Sequence, residues 1–132
     1  MIALQRGRID LESVIDSVRR PEAGAVVLFV GTVRADDGVR ALDYEVYRPM
    51  ALKTLTDLAD RAKQKFRVQA MSIVHRLGRV ALGGDSVAIA CAARHRSEAF
   101  AACAWAMDEA KRIVPIWKTQ TRPAARRRTR PK

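Results

Sequence analysis

Three short clusters of basic side chains could carry chemistry in this chain. They are Gly31-Thr32-Val33-Arg34, Arg94-His95-Arg96 and the segment from Lys111 to Lys118. Each is expected beside the end of a strand or helix, where a rigid scaffold presents functional groups. The alternative for any single arginine is that it only solvates the edge of a sheet.

The third cluster combines two lysines with an apolar corner. Lys111 lies four residues after Met107, and Pro115-Ile116-Trp117 leads directly into Lys118. A lysine that apolar neighbours partly desolvate has a lowered pKa and can act as a proton carrier or nucleophile. The alternative is that Lys111 extends its stem over apolar surface towards water and that Lys118 is simply exposed.

The histidines and cysteines do not indicate a metal site. His75 and His95, the only two histidines, are twenty residues apart and fall on different predicted elements. Cys91 and Cys103 sit in apolar surroundings without C-x-x-C spacing, so we expect reduced core residues. No metal or other cofactor is predicted.

The positive charge is concentrated at the C-terminal end. Residues 119–132 hold six basic side chains and no acidic one, so that removing them from the net charge of +11 leaves +5. This segment has two prolines and no large apolar residue, and it cannot bury enough surface to offset the entropy of ordering. We therefore predict one domain over residues 1–118 and a flexible basic arm over 119–132.

Apolar residues make up 48% of the 132 residues, which is typical of a globular domain. No apolar run approaches the roughly 20 residues needed to cross a bilayer. The N-terminal sequence also lacks the long apolar stretch of a secretory signal. The expected location is the cytoplasm, and no membrane partner is expected.

Hydrophobic periodicity predicts three helices and four strands. The helices begin after Asp10, at Pro49 and at Ser97 as the cap, and they end near Arg20-Pro21, Phe66 and Ile113. On the last helix we expect Phe100, Cys103, Met107 and Ala110 to face the core. The strands are residues 25–33, 41–47, 71–77 and 86–93.

The predicted order is α-ββ-α-ββ-α, with a hairpin in each strand pair. Such connections favour a mainly antiparallel sheet with packed helices, which is the α+β class. We find no G-x-G-x-x-G, no P-loop and no nucleophile elbow, so no nucleotide or hydrolase site is indicated.

Several motifs together resemble the molybdopterin synthase large (catalytic) subunit family. They are GAVVLFVGTVR, LDYEVYRPMA, IVHRLG and HRSEAFAACAWAMDEAKRIVPIWK, within residues 22–118. The resemblance implies an α/β-hammerhead fold and a central homodimer within a heterotetramer. It also implies a ubiquitin-like small subunit, whose C-terminal Gly-Gly thiocarboxylate supplies sulfur to convert cyclic pyranopterin monophosphate into the dithiolene of molybdopterin.

The resemblance also implies roles for individual residues. Lys111 and Lys118 match the two catalytic lysines of the family, and Arg34 matches a substrate-contacting arginine. His95 and Arg96 match the pair that holds the pterin phosphate. Arg and Lys would lower the cost of bringing two anions, the phosphorylated substrate and the thiocarboxylate, into one pocket.

The predicted last helix separates these residues. At about 1.5 Å per residue, His95 and Lys111 are roughly 24 Å apart, too far for one small substrate. Either the two groups serve different sites, or one pocket forms across a twofold interface from two chains. We favour the second hypothesis.

After Lys118 the chain departs from the family pattern. Gln120 and the arginine-rich arm replace the usual glutamate and tryptophan-containing segment, so one expected substrate-binding arginine is unassigned. Arg122 or one of Arg126-Arg127-Arg128 are the candidates.

Two rival functions come from other classes. The net charge of +11 could suit a small nucleic-acid-binding module, although only 5% of residues are aromatic and no exposed pair suits base stacking. Deleting residues 121–132 should abolish nucleic-acid affinity but spare synthase activity. The other rival is a non-catalytic scaffold that binds the small subunit, against which the presence of both lysines argues.

Overall fold

A computed structural model describes residues 1–36 and 38–121. In chain order, its elements are β1 (Ile2–Arg6), α1 (Leu11–Val18), β2 (Ala25–Thr32), β3 (Ala41–Val46), α2 (Arg48–Phe66), β4 (Ala70–Ala81), β5 (Asp85–Ala93), α3 (Arg96–Ile113) and β6 (Ile116–Thr121). No helix among the described residues is long and apolar enough to span a membrane.

The six strands form one sheet in the order β2-β5-β4-β3-β6, and β1 joins in parallel beside β4. All other ladders that the structure describes are antiparallel. Helices α2 and α3 cover one face through the largest apolar cluster, while α1 covers the other face through Val14 and Val18. The predicted α+β class with a mainly antiparallel sheet and packed helices is confirmed.

The predicted hairpin between the strands at residues 25–33 and 41–47, which form β2 and β3, is wrong. β2 pairs with β5, whereas β3 pairs with β4 and β6. β5 is buried along nearly its whole length, so the backbone N–H and C=O groups on both of its edges need strand partners. The almost wholly apolar β2 suits that position, and the half-polar β3 suits a more exposed ribbon with β6.

Strand β4 changes partners along its length. It pairs with β5 as far as His75 and with β3 from Gly78 onwards. Gly78 has a φ of +79°, and a Cβ there would lie 2.5 Å from a guanidinium nitrogen of Arg6. The arginine could shift, but a positive φ strains residues that carry a Cβ, so glycine is favoured where β4 changes partners.

Strands β1 and β6 are absent from the predicted elements. Ile2 pairs with Ile73, a partner that no local pattern reveals. β6 continues through Thr121, so Thr119, Gln120 and Thr121 extend a strand beyond the expected start of the arm. The rest of that arm, residues 122–132, lies outside the described residues.

Two predictions for the last helix are wrong. His95, not Ser97, is the N-cap of α3, and the Ser97 hydroxyl donates to the Glu98 carboxylate at 3.1 Å. Phe100 is 61% exposed, because α3 instead buries Ala99, Ala102, Cys103 and Ala106. These small residues let the helix pack closely on the sheet and turn Phe100 outwards.

Candidate active site

Helix α3 sets the distance between the predicted site residues. His95 is its N-cap and Lys111 lies in its last turn. The helix end near Ile113 is confirmed, so these two residues lie at opposite ends of one rigid element. No small molecule can contact both within one chain.

The carboxyl end of α3 leads directly into β6. Val114 is the C-cap, and its N–H donates to the Ala110 carbonyl at 3.1 Å. Val114 is buried in the main apolar cluster, and Ile116 packs against that cluster as the first residue of β6. This apolar connection fixes the course of the chain between Lys111 and Lys118.

Lys118 lies on a defined face of the β3–β6 ribbon. It is directly opposite Tyr44 in the ladder, so both side chains belong to the same face. Ile116 shares that face, because side chains alternate along a strand. Ile116 also packs against the cluster of Val33, Tyr44 and Val80.

Arg34 follows directly on that cluster. Backbone hydrogen bonds of 2.9 to 3.0 Å join Val33 to Gly83 and Gly84, which fixes the start of the loop after β2. The Arg34 guanidinium is exposed and forms a 2.8 Å ion pair with Asp36. Arg34 therefore extends from a segment that packs on the Lys118 face of the ribbon, and an anionic ligand would compete with Asp36 for it.

The last turn of α3 is held by a carboxylate that sequence analysis missed. Glu109 accepts hydrogen bonds at 3.0 Å from Arg61 of α2 and from two nitrogens of Arg112. The guanidinium of Arg61 also lies 5.1 Å from the centre of the Trp105 ring. Arg112 first, and then Arg61, hold the pKa of Glu109 below its ordinary value. This cluster anchors the turn that carries Lys111.

The amino end of α3 is held much less firmly. His95 and Arg96 are exposed, and the His95 side chain makes no capping hydrogen bond. Nδ1 of His95 is 3.8 Å from the Glu98 carboxylate, which is a long contact. Both residues can therefore reorient towards another molecule.

Of the two interpretations of Lys111 and Lys118, exposure holds among the residues that the structure describes. Lys111 and Lys118 are both exposed. Between them, Val114 is buried but Trp117 points outwards, so the apolar residues of this segment do not cover the lysines. Concavities of about 320 and 370 Å³ lie elsewhere, and neither is lined by a lysine of this pair. Residues 1–36 and 38–121 of a single chain therefore do not enclose these two ammonium groups.

Comparison with known proteins decides the family. A sequence profile of the MoaE protein matches residues 4–113. The chain belongs to the MoaE family. A molybdopterin synthase catalytic subunit of Thermoplasma volcanium is 51% identical over 108 residues, which are 80% of this chain and 79% of the relative.

Solved structures of this family share the fold. A molybdopterin synthase structure from Staphylococcus aureus superposes with a TM-score of 0.88 at 34% identity, covering 92% of this chain and 90% of the other. A molybdopterin biosynthesis MoaE protein from Burkholderia ambifaria gives 0.83 at 38% identity, covering 92% and 83%. Neither the nucleic-acid-binding nor the scaffold alternative is favoured by these similarities.

The other histidine and the cysteines of this MoaE chain have structural surroundings. His75 is largely buried, its Nδ1 is 2.7 Å from the Arg76 carbonyl, and its ring packs edge-on against Tyr44. Burial lowers the pKa of His75 and so favours the neutral ring. Cys91 and Cys103 are free and buried, as predicted, and contact with Cys103 followed by burial raises the pKa of Cys91.

Within residues 1–36 and 38–121, no group of three or more His, Cys, Asp or Glu residues could hold a metal ion. The buried thiol of Cys91 is also a poor nucleophile, because the thiolate is the reactive form. Among the described residues, the exposed side chains able to bind anions include lysines, arginines and His95.

Proposed function

We propose that Lys111 and Lys118 are the catalytic residues of this chain and that Arg34, His95 and Arg96 bind its substrate. The chain is a molybdopterin synthase catalytic subunit, an enzyme of molybdenum cofactor biosynthesis. It transfers sulfur from a thiocarboxylated small subunit to cyclic pyranopterin monophosphate and so makes the dithiolene of molybdopterin. The small subunit is a ubiquitin-like protein that ends in Gly-Gly.

One observation carries the assignment of the site. The anchored last turn of α3 bears Lys111, and the strand that follows bears Lys118 on the face where the Arg34 segment packs. Both ligands of this site are anions, a phosphorylated pterin and a thiocarboxylate. Cations from three segments, if brought together at one site, would lower the free energy of holding two anions there.

The chemistry requires proton transfer more than nucleophilic side chains. Ring opening and sulfur addition at the pterin side chain both move protons, which a positioned lysine can donate or accept. Sulfur arrives on the small subunit, so neither Cys91 nor Cys103 is needed as a carrier. Arginine suits the phosphate, because its planar fork can donate two parallel hydrogen bonds.

The exposed face of α3 supports a pocket built from two chains. This face carries Ser97, Phe100, Ala101, Ala104, Asp108 and Lys111. Ser97 lies seven residues before Ala104 and Lys111 seven after it, so an antiparallel pairing centred on Ala104 would bring Lys111 of one protomer beside Ser97 of its partner. His95 and Arg96 would then approach the partner's lysines.

Small side chains at the crossing favour this arrangement. Ala101 and Ala104 allow two helices to approach closely, and the exposed Phe100 would lose contact with water. The homodimer would supply the enclosure that the two lysines lack in the single chain. We propose the cytoplasm as its location, because free thiols such as Cys91 and Cys103 are usual in a reducing compartment.

A reconstituted reaction tests the function. The purified chain is mixed with the thiocarboxylated small subunit and cyclic pyranopterin monophosphate, and molybdopterin is measured. The small subunit with an ordinary C-terminal carboxylate is the control, since it binds but carries no sulfur. Absence of product from a folded, assembled complex would contradict the proposed enzyme.

A further inference from the structure

The two cysteines of the chain meet in the main apolar core. Cys91 lies in the buried strand β5, and Cys103 lies near the middle of α3. Both thiols are free, and Cys91 is 0% and Cys103 4% exposed. The proposed sulfur transfer uses neither thiol, because its sulfur arrives on the small subunit. The core thus holds a pair of thiols without an assigned role.

Hydrogen bonds locate the sulfur of Cys103 beside Cys91. Sγ of Cys103 lies 3.7 Å from the Val27 carbonyl oxygen and 3.8 Å from the Ile89 carbonyl oxygen. Val27 is the direct partner of Cys91 in the β2–β5 ladder, and Ile89 precedes Cys91 by two positions on the same face. Contact with Cys103 is also the first cause that raises the pKa of Cys91. The two sulfurs therefore lie next to each other.

The residues around Cys103 let the helix approach the sheet closely. Ala99, Ala102 and Ala106 are the other buried residues of α3, and each has 0% exposure. Such short side chains hold the helix backbone near β5. A disulfide requires α-carbons within about 7 Å of each other, and close helix–sheet packing favours that separation.

We propose that Cys91 and Cys103 form a reversible disulfide that links α3 to β5 and slows the sulfur transfer under oxidising conditions. The bond itself is independent of the proposed function, whereas its effect on activity rests on that function. The oxidant is a hydroperoxide, of which hydrogen peroxide is the simplest. Disulfides of cytosolic proteins are commonly transient and redox-sensing, which suits a pair of otherwise reduced thiols.

The oxidation balances with one molecule of peroxide. Contact with Cys91 lowers the pKa of Cys103, so Cys103 supplies the attacking thiolate. Its sulfur bonds to one peroxide oxygen, the O–O bond breaks, and the leaving hydroxide takes up the thiol proton as water. The Cys91 sulfur then attacks the resulting sulfenic acid. The S–S bond forms, the S–O bond breaks, and the second hydroxide leaves with the Cys91 proton as water.

The position of the bond connects it to the candidate site. Bonded sulfurs lie closer together than sulfurs in contact, so the bond draws α3 towards β5. His95 caps one end of this helix, and Lys111 lies in its last turn. A shift of the helix therefore displaces both groups of proposed site residues. Small displacements of catalytic groups are costly, so we expect the rate to fall on the order of 10-fold.

A peptide map of the full chain tests whether the bond forms. The chain is treated with hydrogen peroxide and digested with trypsin without reduction. Cleavage after Arg94 and Arg96 separates the two cysteines, so peptides 80–94 and 97–111 should appear joined by one disulfide. Dithiothreitol should release them as separate peptides. Two thiols that stay free, a Cys103 that proceeds only to its sulfinic acid, or a bond between two chains would each overturn the proposal.

Molybdopterin formation tests the effect of the bond. Peroxide is removed before the small subunit is added, because a thiocarboxylate is itself oxidisable. The treated chain should be slower, and dithiothreitol should restore its rate. Cys91→Ala and Cys103→Ala are the matched controls, since they keep every other oxidisable side chain but cannot form the bond. Peroxide should leave each of them at its own untreated rate. If Cys103→Ala does not fold, Cys103→Ser retains a hydrogen-bond donor and replaces it.

The two readouts separate the possible failures. A disulfide that forms without changing the rate would overturn the proposed switch. An equal loss of rate in the alanine variants would do so too, because another oxidised side chain would then be responsible. If the reduced chain makes no molybdopterin, the proposed function fails, whereas the peptide map still decides whether the disulfide forms.

Discussion

The two ends of α3 carry functional side chains under very different constraints. At the carboxyl end, Glu109 ties the last turn to Arg61 and Arg112 at 3.0 Å, and Val114 is buried in the core. At the amino end, His95 makes only the 3.8 Å contact with Glu98 and does not cap the helix with its side chain. Contacts within the chain therefore fix the carboxyl end of α3, whereas the His95 side chain at the amino end is only loosely held.

This difference indicates separate tasks for the two ends. Proton transfer requires groups held in a fixed geometry, which the anchored carboxyl end provides for Lys111. Phosphate binding by an exposed His-Arg pair tolerates reorientation and can be completed when another chain docks. The contrast therefore fits a pocket in which each protomer supplies lysines to its own site and His95 with Arg96 to its partner's site.

Removing either lysine should give the largest effect. Lys111→Met and Lys118→Met keep the aliphatic stem but remove the ammonium group, so molybdopterin formation should fall on the order of 100-fold or more. Stability should change by less than about 0.5 kcal/mol, because both side chains are exposed. Lys63→Met, in the last turn of α2, is the control for loss of one lysine. Full activity in both variants would remove the catalytic assignment.

Mixed dimers test whether the two ends meet across chains. Homodimers of Lys111→Ala and homodimers of His95→Ala should both be inactive. A heterodimer of the two variants has two pockets, and one of them contains both Lys111 and His95. Random mixing should therefore restore about a quarter of the normal activity. Mixing of chains is verified by native mass spectrometry. If verified heterodimers recover nothing, each chain builds its pocket alone or the two ends serve different sites.

Local sequence patterns predicted most of the elements but not all their pairings. Helices α2 and α3 and strands β4 and β5 follow from periodicity and from Pro and Gly positions. The β2–β5 pairing could not be read from sequence, because Ala25 and its partner Ala93 are separated by about half of the chain. β1 was missed for the same reason, since its partner β4 is distant in sequence. The polar residues at the end of β6 suggested an arm instead of a strand.

The candidate site was predicted to a similar extent. Helical spacing alone separated His95 from Lys111, and that geometry holds. The Glu109–Arg112 pair has the i, i+3 spacing that sequence analysis could have used, whereas Arg61 is 48 residues from Glu109. For Lys111 and Lys118 the sequence left two interpretations open, desolvated or exposed, because an apolar neighbour in sequence need not cover a side chain in space.

Substitution at the free end should separate stability from function. Asn caps a helix well, and His95 makes no capping hydrogen bond, so His95→Asn should stabilise the fold by about 1 kcal/mol in urea unfolding. Activity should nevertheless fall, since the phosphate loses one partner. Ser97→Ala is the control within the first turn and should leave stability nearly unchanged. If His95→Asn has full activity, His95 is not a substrate-binding residue.

Substitution at the anchored end should give the smallest effect, and one that depends on pH. Glu109 has a pKa below its ordinary value of 4.5, because Arg112 and then Arg61 favour the carboxylate in the folded chain. A lowered folded-state pKa contributes stability above the unfolded-state value, and this contribution disappears as pH falls through the folded-state pKa. Glu109→Gln cannot titrate and should be less stable than the unsubstituted chain near pH 7.

The difference between the two chains should therefore stay constant from pH 7 to about 5 and shrink at lower pH. Thermal unfolding across this pH range measures the difference in stability. Glu22→Gln is the control for removal of one surface charge. A difference that persists unchanged at pH 3 would mean that Glu109 acts through packing or neutral hydrogen bonds. The ion pairs would then not be what holds the turn of Lys111, and the contrast between the two ends of α3 would lose its electrostatic basis.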